Sequence, residues 1–245
     1  MTVAYVLANS AHGAVIVNRF DFNVSPEGSY GVGDQILATG GYDPHDVELL
    51  QKLLEVRRAR YGDGVFAIDC GANIGVHSLE WAKLMRGWGE VLAIEAQERV
   101  FYALAGNLAL QNAFNARALW AAVGNEDGFI EIPEPDYCAP SSFGSFELKR
   151  RAGTENIGQA IDYDKPSLRV RLMKLDSLQK ERVDLIKLDV EGMEMEALAG
   201  AAETIKRCKP ILIVEYIKTD RNALEAHLGG LGYDVHQHGL NLVAY

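Results

Sequence analysis

Short runs of apolar residues alternate with amphipathic segments over most of the chain. Runs that are apolar throughout are typical of parallel strands in a sheet that is covered on both faces. The segments between them carry apolar residues at helical spacing, as Val100, Leu104 and Leu108 do. This alternation predicts an α/β fold with a doubly wound, mostly parallel sheet. The predicted strands are residues 65–69, 91–95, 117–123, 183–189 and 211–216.

Both ends of the chain depart from this alternation. Residues 232–245 form two β-type runs around a turn at His238 and Gly239, so we expect an antiparallel hairpin at the C-terminal end of the sheet. Residues 1–40 contain short β-type runs and turn residues. We expect them to form a small β-extension that packs on a main domain of residues 41–245.

Two further segments bear on the position of a site. Asp43 and Pro44 predict the N-cap and the first position of a helix. Residues 133–168 are irregular, and stretches of this length are usually functional or disordered. Within them, residues 141–148 are expected either to cover an acceptor or to form a surface loop, while residues 30–35 close the opposite side.

The composition narrows the classes of function. The chain has 245 residues, and its 34 acidic against 24 basic residues give a net charge of −10, which argues against a nucleic acid as partner. The three cysteines, Cys70, Cys138 and Cys208, form no pattern typical of a disulfide framework or a structural zinc site. The sequence carries no signal-peptide pattern and no membrane-spanning run, so we expect a cytoplasmic protein. The oligomeric state is not predicted.

A glycine-rich turn follows the first strand of the alternating region. Gly71 allows a sharp turn, and Gly75 allows close approach of the backbone to a ligand before a helix begins near Val76. The free N–H groups at a helix N-terminus bind anions. The Gly-Lys-Ser/Thr ending of a phosphate loop is absent, and Asn73 interrupts the dinucleotide pattern of glycines. The turn therefore predicts a nucleotide-type cofactor, with S-adenosylmethionine (SAM) and NAD as the candidates.

Two acidic residues at strand ends favour SAM. Asp69 lies just before the turn, where its carboxylate would repel a pyrophosphate but suits the ammonium of SAM, directly or through water. Glu95 ends the second strand and can accept hydrogen bonds from two ribose hydroxyls, a feature that NAD and SAM share. Ordinary strand-end acids are the alternative interpretation of both residues. A nicotinamide-dependent oxidoreductase and a SAM-binding protein without catalysis remain the alternative functions.

Several motifs together carry a family resemblance. Residues 69–75 read DCGANIG, residues 91–97 read VLAIEAQ, and residues 186–192 read IKLDVEG. With these motifs the chain resembles the FkbM family of class I SAM-dependent methyltransferases from about residue 41 to its C-terminus. Ala96 is a departure, because the family commonly has a proline at this position.

The resemblance implies a seven-stranded sheet, SAM as the cofactor and methyl transfer to a hydroxyl group of a saccharide or small metabolite. Tyr42 is a further candidate to cover the cofactor. The residues expected at the cofactor are Asp69, Gly71, Ala72, Asn73, Gly75, His77 and Ser78 at the methionine end, Glu95, Ala96 and Gln97 at the ribose, Ala122 and Val123 at the adenine, and Asp189 near the methyl group.

Three acids at strand ends are the catalytic candidates. Asp189 and Glu191 follow the fourth strand and Glu215 ends the fifth, on the side of the sheet where ligands bind. Methyl transfer to oxygen needs aligned reactants and removal of the acceptor proton, and a carboxylate can assist both. A divalent cation held by the three acids is an alternative that the sequence allows but does not predict. Glu191 alternatively caps the next helix, on which Glu194 and Glu196 are predicted to face solvent.

Overall fold

The computed structural model describes residues 3–26 and 28–245, so Met1, Thr2 and Glu27 of the predicted N-terminal extension lie outside the described residues. Its strands are β1 (Tyr5–Ser10), β2 (Gly13–Asn18), β3 (Asn23–Ser25), β4 (Gly28–Tyr30), β5 (Val65–Cys70), β6 (Gly89–Glu95), β7 (Ala116–Trp120), β8 (Ala122–Val123), β9 (Gly128–Ile132), β10 (Leu168–Met173), β11 (Leu185–Leu188), β12 (Ile211–Glu215), β13 (Val235–His238) and β14 (Asn241–Ala244). Its helices are α1 (Val32–Thr39), α2 (Pro44–Tyr61), α3 (Val76–Leu84), α4 (Glu98–Leu110), α5 (Glu194–Ala199), α6 (Ala202–Cys208) and α7 (Arg221–Gly230), with 3-10 turns at Phe143–Ser145 and Leu175–Leu178.

A seven-stranded sheet forms the centre of the molecule, in the order β13-β14-β12-β11-β5-β6-β7. The five strands from β12 to β7 are parallel, and β14 runs antiparallel to β12 and β13. Every residue of β5 is buried, as expected for a strand covered on both faces. The predicted fold class is confirmed, including the antiparallel C-terminal hairpin.

The strand predicted at 117–123 is wrong in one respect, because it is two strands in two sheets. β7 pairs with β6 in the central sheet, whereas β8 pairs with β10 in a separate sheet of order β8-β10-β9. The chain changes partner at Ala121, whose N–H still donates to the Glu95 carbonyl. Continuous apolar character does not reveal such a change of pairing partner.

Apolar side chains fill both faces of the central sheet. Helices α2, α3 and α4 cover one face together with β2, and α5, α6 and α7 cover the other. Helix α2 begins at Pro44 as predicted, and Asp43 occupies its N-cap position. The side chain of Asp43 makes no capping hydrogen bond, because its backbone is left-handed (φ 46°). No helix within residues 3–26 and 28–245 combines the length and apolar character needed to cross a membrane.

The N-terminal hairpin β1–β2 packs against α4. Asn107 of α4 accepts a hydrogen bond from Ile16 N at 2.5 Å and donates from Nδ2 to the Ile74 carbonyl at 2.8 Å. One buried amide thus joins the N-terminal hairpin to the glycine-rich turn after β5. The antiparallel hairpin at this end agrees with the predicted fold, and the boundary at residue 40 stays a prediction.

The long segment 133–168 is packed into the fold rather than extended into solvent. Phe143 and Phe146 are both about as buried as any core residue, at 1% exposure. Asp21, from the turn after β2, accepts hydrogen bonds from Gly33 N at 3.0 Å and Phe143 N at 2.9 Å. The segment is therefore held to the N-terminal part of the chain, and the two together cover the carboxyl ends of the central strands.

Candidate functional site

A cavity of about 440 Å³ lies at the carboxyl ends of the central strands, within the size range of small-molecule sites. Gly71 follows β5, Glu95 ends β6, Asp189 follows β11 and Glu215 ends β12, and all four line the cavity. This is the position at which open α/β sheets bind ligands. The remaining walls come from residues within 30–35, 42–46, 121–123, 142–148 and 239–241.

The two glycines of the turn after β5 are required by packing as well as by backbone conformation. Both have positive φ, 75° at Gly71 and 90° at Gly75. A Cβ on Gly71 would lie 1.7 Å from the Asp189 carbonyl oxygen, so this glycine lets the two loops at the cavity floor touch. A Cβ on Gly75 would lie 2.4 Å from Leu104 Cδ1. Gly75 does not line the cavity, so the close approach it permits is to α4 rather than to a ligand.

His77, in the first turn of α3, brings a hydrogen-bonding group to the cavity. Its ring lies 6.2 Å from the ring of Tyr42 in an edge-to-face arrangement, and both residues line the cavity. Burial lowers the pKa of His77 to about 3, so the imidazole is neutral at physiological pH. Its Nδ1 is buried and has no hydrogen-bond partner among the described residues. A buried polar atom of this kind is stabilised by a ligand that completes its bonding.

Asp69 lies beneath the cavity floor and does not line it. Its carboxylate is fully buried, accepts a hydrogen bond from Ser78 Oγ at 2.6 Å and lies 4.0 Å from Lys187 Nζ. Burial raises the pKa of Asp69 against the opposing effects of Lys187 and Ser78. The sequence led us to expect a cofactor ammonium beside Asp69, whereas the ammonium nearest to it here is that of Lys187. Like Gly75, Asp69 and Ser78 support the cavity from outside its lining.

Glu95 is held by backbone N–H groups on both of its carboxylate oxygens. Oε2 accepts from Asn73 N at 2.9 Å, and Oε1 accepts from Gln97 N at 2.8 Å. Burial nevertheless raises the pKa of Glu95 to about 7. The side chain of Gln97 has a structural role. Its Nε2 donates a hydrogen bond to the Phe143 carbonyl at 2.8 Å and so holds the cavity wall of residues 142–148 in place.

An apolar slot lies beside Glu95. Ala122 and Val123 of β8, which are predicted to contact the adenine, line it. Trp120 donates from Nε1 to the Ala96 carbonyl at 2.9 Å, which fixes the backbone at the residue that replaces the family's usual proline. The other apolar side chains of this slot are Ile94, Phe146, Leu148, Val190 and Met193.

The three predicted catalytic acids come together in the lining of the same cavity. Carboxylate oxygens of Asp189, Glu191 and Glu215 lie within 4.8 Å of one another, an arrangement able to hold a metal ion. Lys187 Nζ is 2.8 Å from Asp189 Oδ2, and Lys218 Nζ is 2.5 Å from Glu191 Oε2. Glu215 has no side-chain partner among the described residues. Burial, reinforced by the neighbouring carboxylates, raises the pKa of Glu191 to about 8 and that of Glu215 to about 10.

One alternative interpretation and one expectation about this segment are wrong. Glu191 pairs with Lys218 instead of capping the following helix. Glu194 is 1% exposed rather than solvated, because its carboxylate accepts hydrogen bonds from Gly192 N at 2.9 Å and from Thr219 Oγ1. Glu194 therefore ties the turn that follows β11 to the turn that follows β12, and the N-terminus of α5 has no side-chain cap.

Sequence reasoning missed the two lysines of the site. Lys187 is a charged residue inside the apolar strand β11. A lysine at such a position is rarely buried without a partner, so the sequence did indicate a charged partner for it. Lys218 follows β12 in a turn whose composition carries no signal. Asp21 was also missed, although it fastens Phe143 to the N-terminal part of the cavity wall.

The fold and the cavity together define the class of this protein. It has the Rossmann-like fold of SAM-dependent methyltransferases. A crystal structure of methyltransferase FkbM from Methylobacillus flagellatus KT superimposes with a TM-score of 0.53 at 18% identity. The match covers 75% of this chain and 44% of that one, so the chain spans less than half the length of this structural relative.

The family follows from the sequence comparison. The family model for the methyltransferase FkbM domain matches residues 69–235, and the chain belongs to this family. Methyltransferase sdnD of Sordaria araneosa is 29% identical over 197 residues, which are 69% of this chain and 74% of that protein. Methyltransferase 1 of Beauveria bassiana is 26% identical over 173 residues, which are 63% of this chain and 67% of that protein.

Proposed function

We propose that this methyltransferase transfers a methyl group from SAM to a hydroxyl group of a saccharide or another small metabolite. The observation that carries the proposal is one cavity with two chemically different ends. Glu95 and an apolar slot lie at the first, which we name the cofactor end. Asp189, Glu191 and Glu215 lie at the second, which we name the acceptor end.

The residues at the cofactor end fit SAM. Glu95 uses one hydrogen bond on each carboxylate oxygen and keeps lone pairs for two ribose hydroxyls. The apolar slot beside Ala122 and Val123 suits an adenine ring. The unpartnered Nδ1 of His77 and the N-terminus of α3, which has no side-chain cap, suit the carboxylate of the methionine end.

The ammonium of SAM needs an anionic partner, and Asp189 is placed to supply it. Its side chain is 29% exposed and lines the cavity, whereas Asp69 is closed off beneath the floor. We assign Asp69 an indirect part, in which it holds Ser78 at the start of α3 and faces Lys187. Asn73, Ala72 and Gly71 supply the cavity-facing surface of the turn itself.

Bound SAM supplies an electrophilic methyl group on a sulfonium. At the acceptor end Glu215 is the carboxyl without an ion-pair partner among the described residues, so we assign it to the acceptor hydroxyl. Its pKa is raised to about 10, so the rate should rise with pH as Glu215 ionises. The ionised Glu215 accepts the hydroxyl hydrogen bond and takes the proton as the O–H bond breaks and the new C–O bond forms. The electron pair of the broken C–S bond leaves with the thioether. Glu191 and Asp189 flank Glu215 and orient the acceptor.

The charge at the acceptor end supports an acceptor without phosphate or carboxylate groups. Asp43 and Asp46 line the cavity together with the three catalytic acids. Among the described residues, Lys187 is the only lysine or arginine in that lining. A negatively charged acceptor would be repelled by this set. Neutral polyols, whose hydroxyls donate to carboxylates, fit it. The same acidity supports a small molecule over a nucleic acid.

A product screen tests the proposal. The chain is incubated with SAM that carries an isotopically labelled methyl group and with matched pairs of neutral saccharides and their phosphate esters. Mass spectrometry is expected to find the label on a hydroxyl of a neutral member. Calorimetry should show saturable binding of S-adenosylhomocysteine (SAH) and none of NAD. Label found only on amines or only on phosphorylated acceptors, or binding of NAD instead of SAH, contradicts the proposal.

A further inference from the structure

The three acids of the acceptor end lie close together, and their negative charge must be balanced. Oxygens of Asp189, Glu191 and Glu215 lie within 4.8 Å of one another, which is the kind of donor set that Mg²⁺ or Ca²⁺ prefers. Three carboxylates at this spacing repel one another unless one of them takes up a proton or positive charge lies among them. Positive charge comes either from a divalent cation or from the chain.

Lys187 brings one positive charge from inside the sheet. It lies in β11 opposite Asp69 of β5, with a side chain only 6% exposed. Its Nζ is 2.8 Å from Asp189 Oδ2 and 4.0 Å from Asp69 Oδ1. A buried ammonium is stable only when it is paired, and these carboxylates hold it between the floor and the cavity. The strand fixes its backbone, and the contacts with Asp189 and Asp69 hold its ammonium beside the acid cluster.

Lys218 brings the second positive charge from the opposite side. Its Nζ is 2.5 Å from Glu191 Oε2, 3.2 Å from Glu155 Oε2 and 2.6 Å from the Ser145 carbonyl that accepts its hydrogen bond. The side chain is 8% exposed. Because Ser145 and Glu155 belong to the segment that covers the cavity, Lys218 is fixed by that cover as well as by Glu191.

We propose that Lys187 and Lys218 take the place of a divalent cation, so that the acid cluster works without a metal and Lys187 acts as the positioning residue for Asp189. A cation bound by all three acids would lie beside two fixed ammonium groups and be repelled by both. Lys187 is shared by Asp189 and Asp69, and Lys218 by Glu191 and Glu155, so each of the two lysines touches one acid of the cluster. Glu215 is left for the acceptor. The role given to the acid cluster rests on the proposed function. The test does not, because it measures the binding of a metal ion and not methyl transfer.

The test is a titration of the full chain with Mn²⁺, followed by electron paramagnetic resonance of the free ion. The wild-type chain is expected to show no saturable binding up to about 1 mM, the weak limit of protein sites for such cations. Lys187→Met frees Asp189 and should bind Mn²⁺ roughly tenfold or more tightly than the wild type. Lys187→Arg keeps the charge and should behave as the wild type does. Lys52→Met is the matched control, since Lys52 pairs with Glu48 on an exposed helix face.

Two results overturn the proposal. One is stoichiometric Mn²⁺ binding by the wild type that Glu215→Gln abolishes. The other is a Lys187→Met chain that melts cooperatively and yet gains no Mn²⁺ binding. If Lys187→Met does not fold, Lys218→Met, which removes the partner of Glu191, undergoes the same titration with the same expectation. SAH calorimetry runs separately, so a failure of SAM binding is distinguished from a failure of the charge-balance proposal.

Discussion

The two ends of the cavity hold their carboxylates in different ways. At the cofactor end, Glu95 accepts hydrogen bonds from the backbone of Asn73 and Gln97, which belong to the adjoining turns. At the acceptor end, Asp189 and Glu191 depend on lysine side chains, and Glu215 has no side-chain partner among the described residues. The first end is organised by the backbone before any ligand arrives, whereas the second depends on a balance of charges.

This difference has an electrostatic consequence. Backbone N–H groups of Gln97, Asn73 and Ala96 favour the ionised form of Glu95 and limit the rise of its pKa, which reaches about 7. Glu215 has no such donors among the described residues and stands beside two other carboxylates, and its pKa rises to about 10. We therefore expect substitutions at the cofactor end to change affinity and substitutions at the acceptor end to change rate.

The largest effect is expected for Glu215→Gln. The amide has the shape of the acid but cannot take the acceptor proton, so kcat should fall by about 10²- to 10⁴-fold. SAH affinity should stay within about threefold of the wild type because Glu95 and the apolar slot are untouched. Steady-state kinetics and calorimetry measure the two quantities on the same sample.

The control for this substitution is Glu225→Gln, which removes an exposed acid that pairs with Arg221 on α7, away from the cavity. It should leave kcat and SAH affinity unchanged. If Glu215→Gln instead weakens SAH binding as much as it lowers kcat, Glu215 belongs to the cofactor and the division between the two ends fails.

The second effect is expected for Glu95→Gln. The amide places an NH₂ group against the N–H of either Asn73 or Gln97, and it removes the charged acceptor of the ribose hydroxyls. Hydrogen bonds to charged groups contribute about 1.5–3 kcal/mol, so SAH should bind roughly 10- to 100-fold more weakly. At saturating SAM, kcat should change little. An unchanged dissociation constant for SAH would remove Glu95 from the cofactor site.

The cofactor end was also the more predictable end from sequence, because its residues are neighbours in the chain. Gly71 and Asn73 lie in one motif, and Glu95 follows one strand later in the adjacent position of the sheet. Local motifs of this kind carry their geometry with them. The interpretation of Gly75 as a site of close approach to a ligand was incomplete. The absence of a side chain at Gly75 makes room for Leu104 on α4.

The acceptor end could be predicted only in part. Asp189, Glu191 and Glu215 follow from the rule that strand ends face the ligand, but their counter-ions do not. Lys218 reaches Glu191 from a turn 27 residues further along, and Asp21 reaches Phe143 from 122 residues away. Nothing local in one sequence marks which distant loops meet over a sheet, so these contacts required the structure.

A third, smaller effect concerns pH and the stability of the free protein. Folding raises the pKa of Glu95 from 4.5 to about 7 and that of Glu191 from 4.5 to about 8. Glu215, whose pKa rises to about 10, extends the range, so the folded chain binds more protons than the unfolded chain between about pH 4.5 and 10. Its stability should fall as pH rises through this window. We expect a loss of several kcal/mol in the free energy of unfolding, measured by urea denaturation.

The same measurement separates the two ends. Glu95→Gln should reduce the slope between about pH 4.5 and 7, and Glu191→Gln should reduce it between about pH 4.5 and 8, so only the second changes the slope between about pH 7 and 8. A stability that rises with pH across the whole window in the wild type would mean that these carboxylates are ionised without cost in the fold.

The smallest effect is expected for Tyr42→Phe, which tests whether the acceptor end reaches as far as α2. The Tyr42 hydroxyl has no hydrogen-bond partner among the described residues, while the ring packs against His77. Removing a hydroxyl that bonds only a ligand should leave the melting temperature unchanged and raise the acceptor KM by about 3- to 10-fold. Tyr137→Phe is the contrasting variant, because Tyr137 donates to Gln97 Oε1 at 3.3 Å and holds the wall at the cofactor end. If Tyr42→Phe weakens SAH binding and leaves the acceptor KM unchanged, Tyr42 covers the cofactor and the acceptor end stops at Asp189.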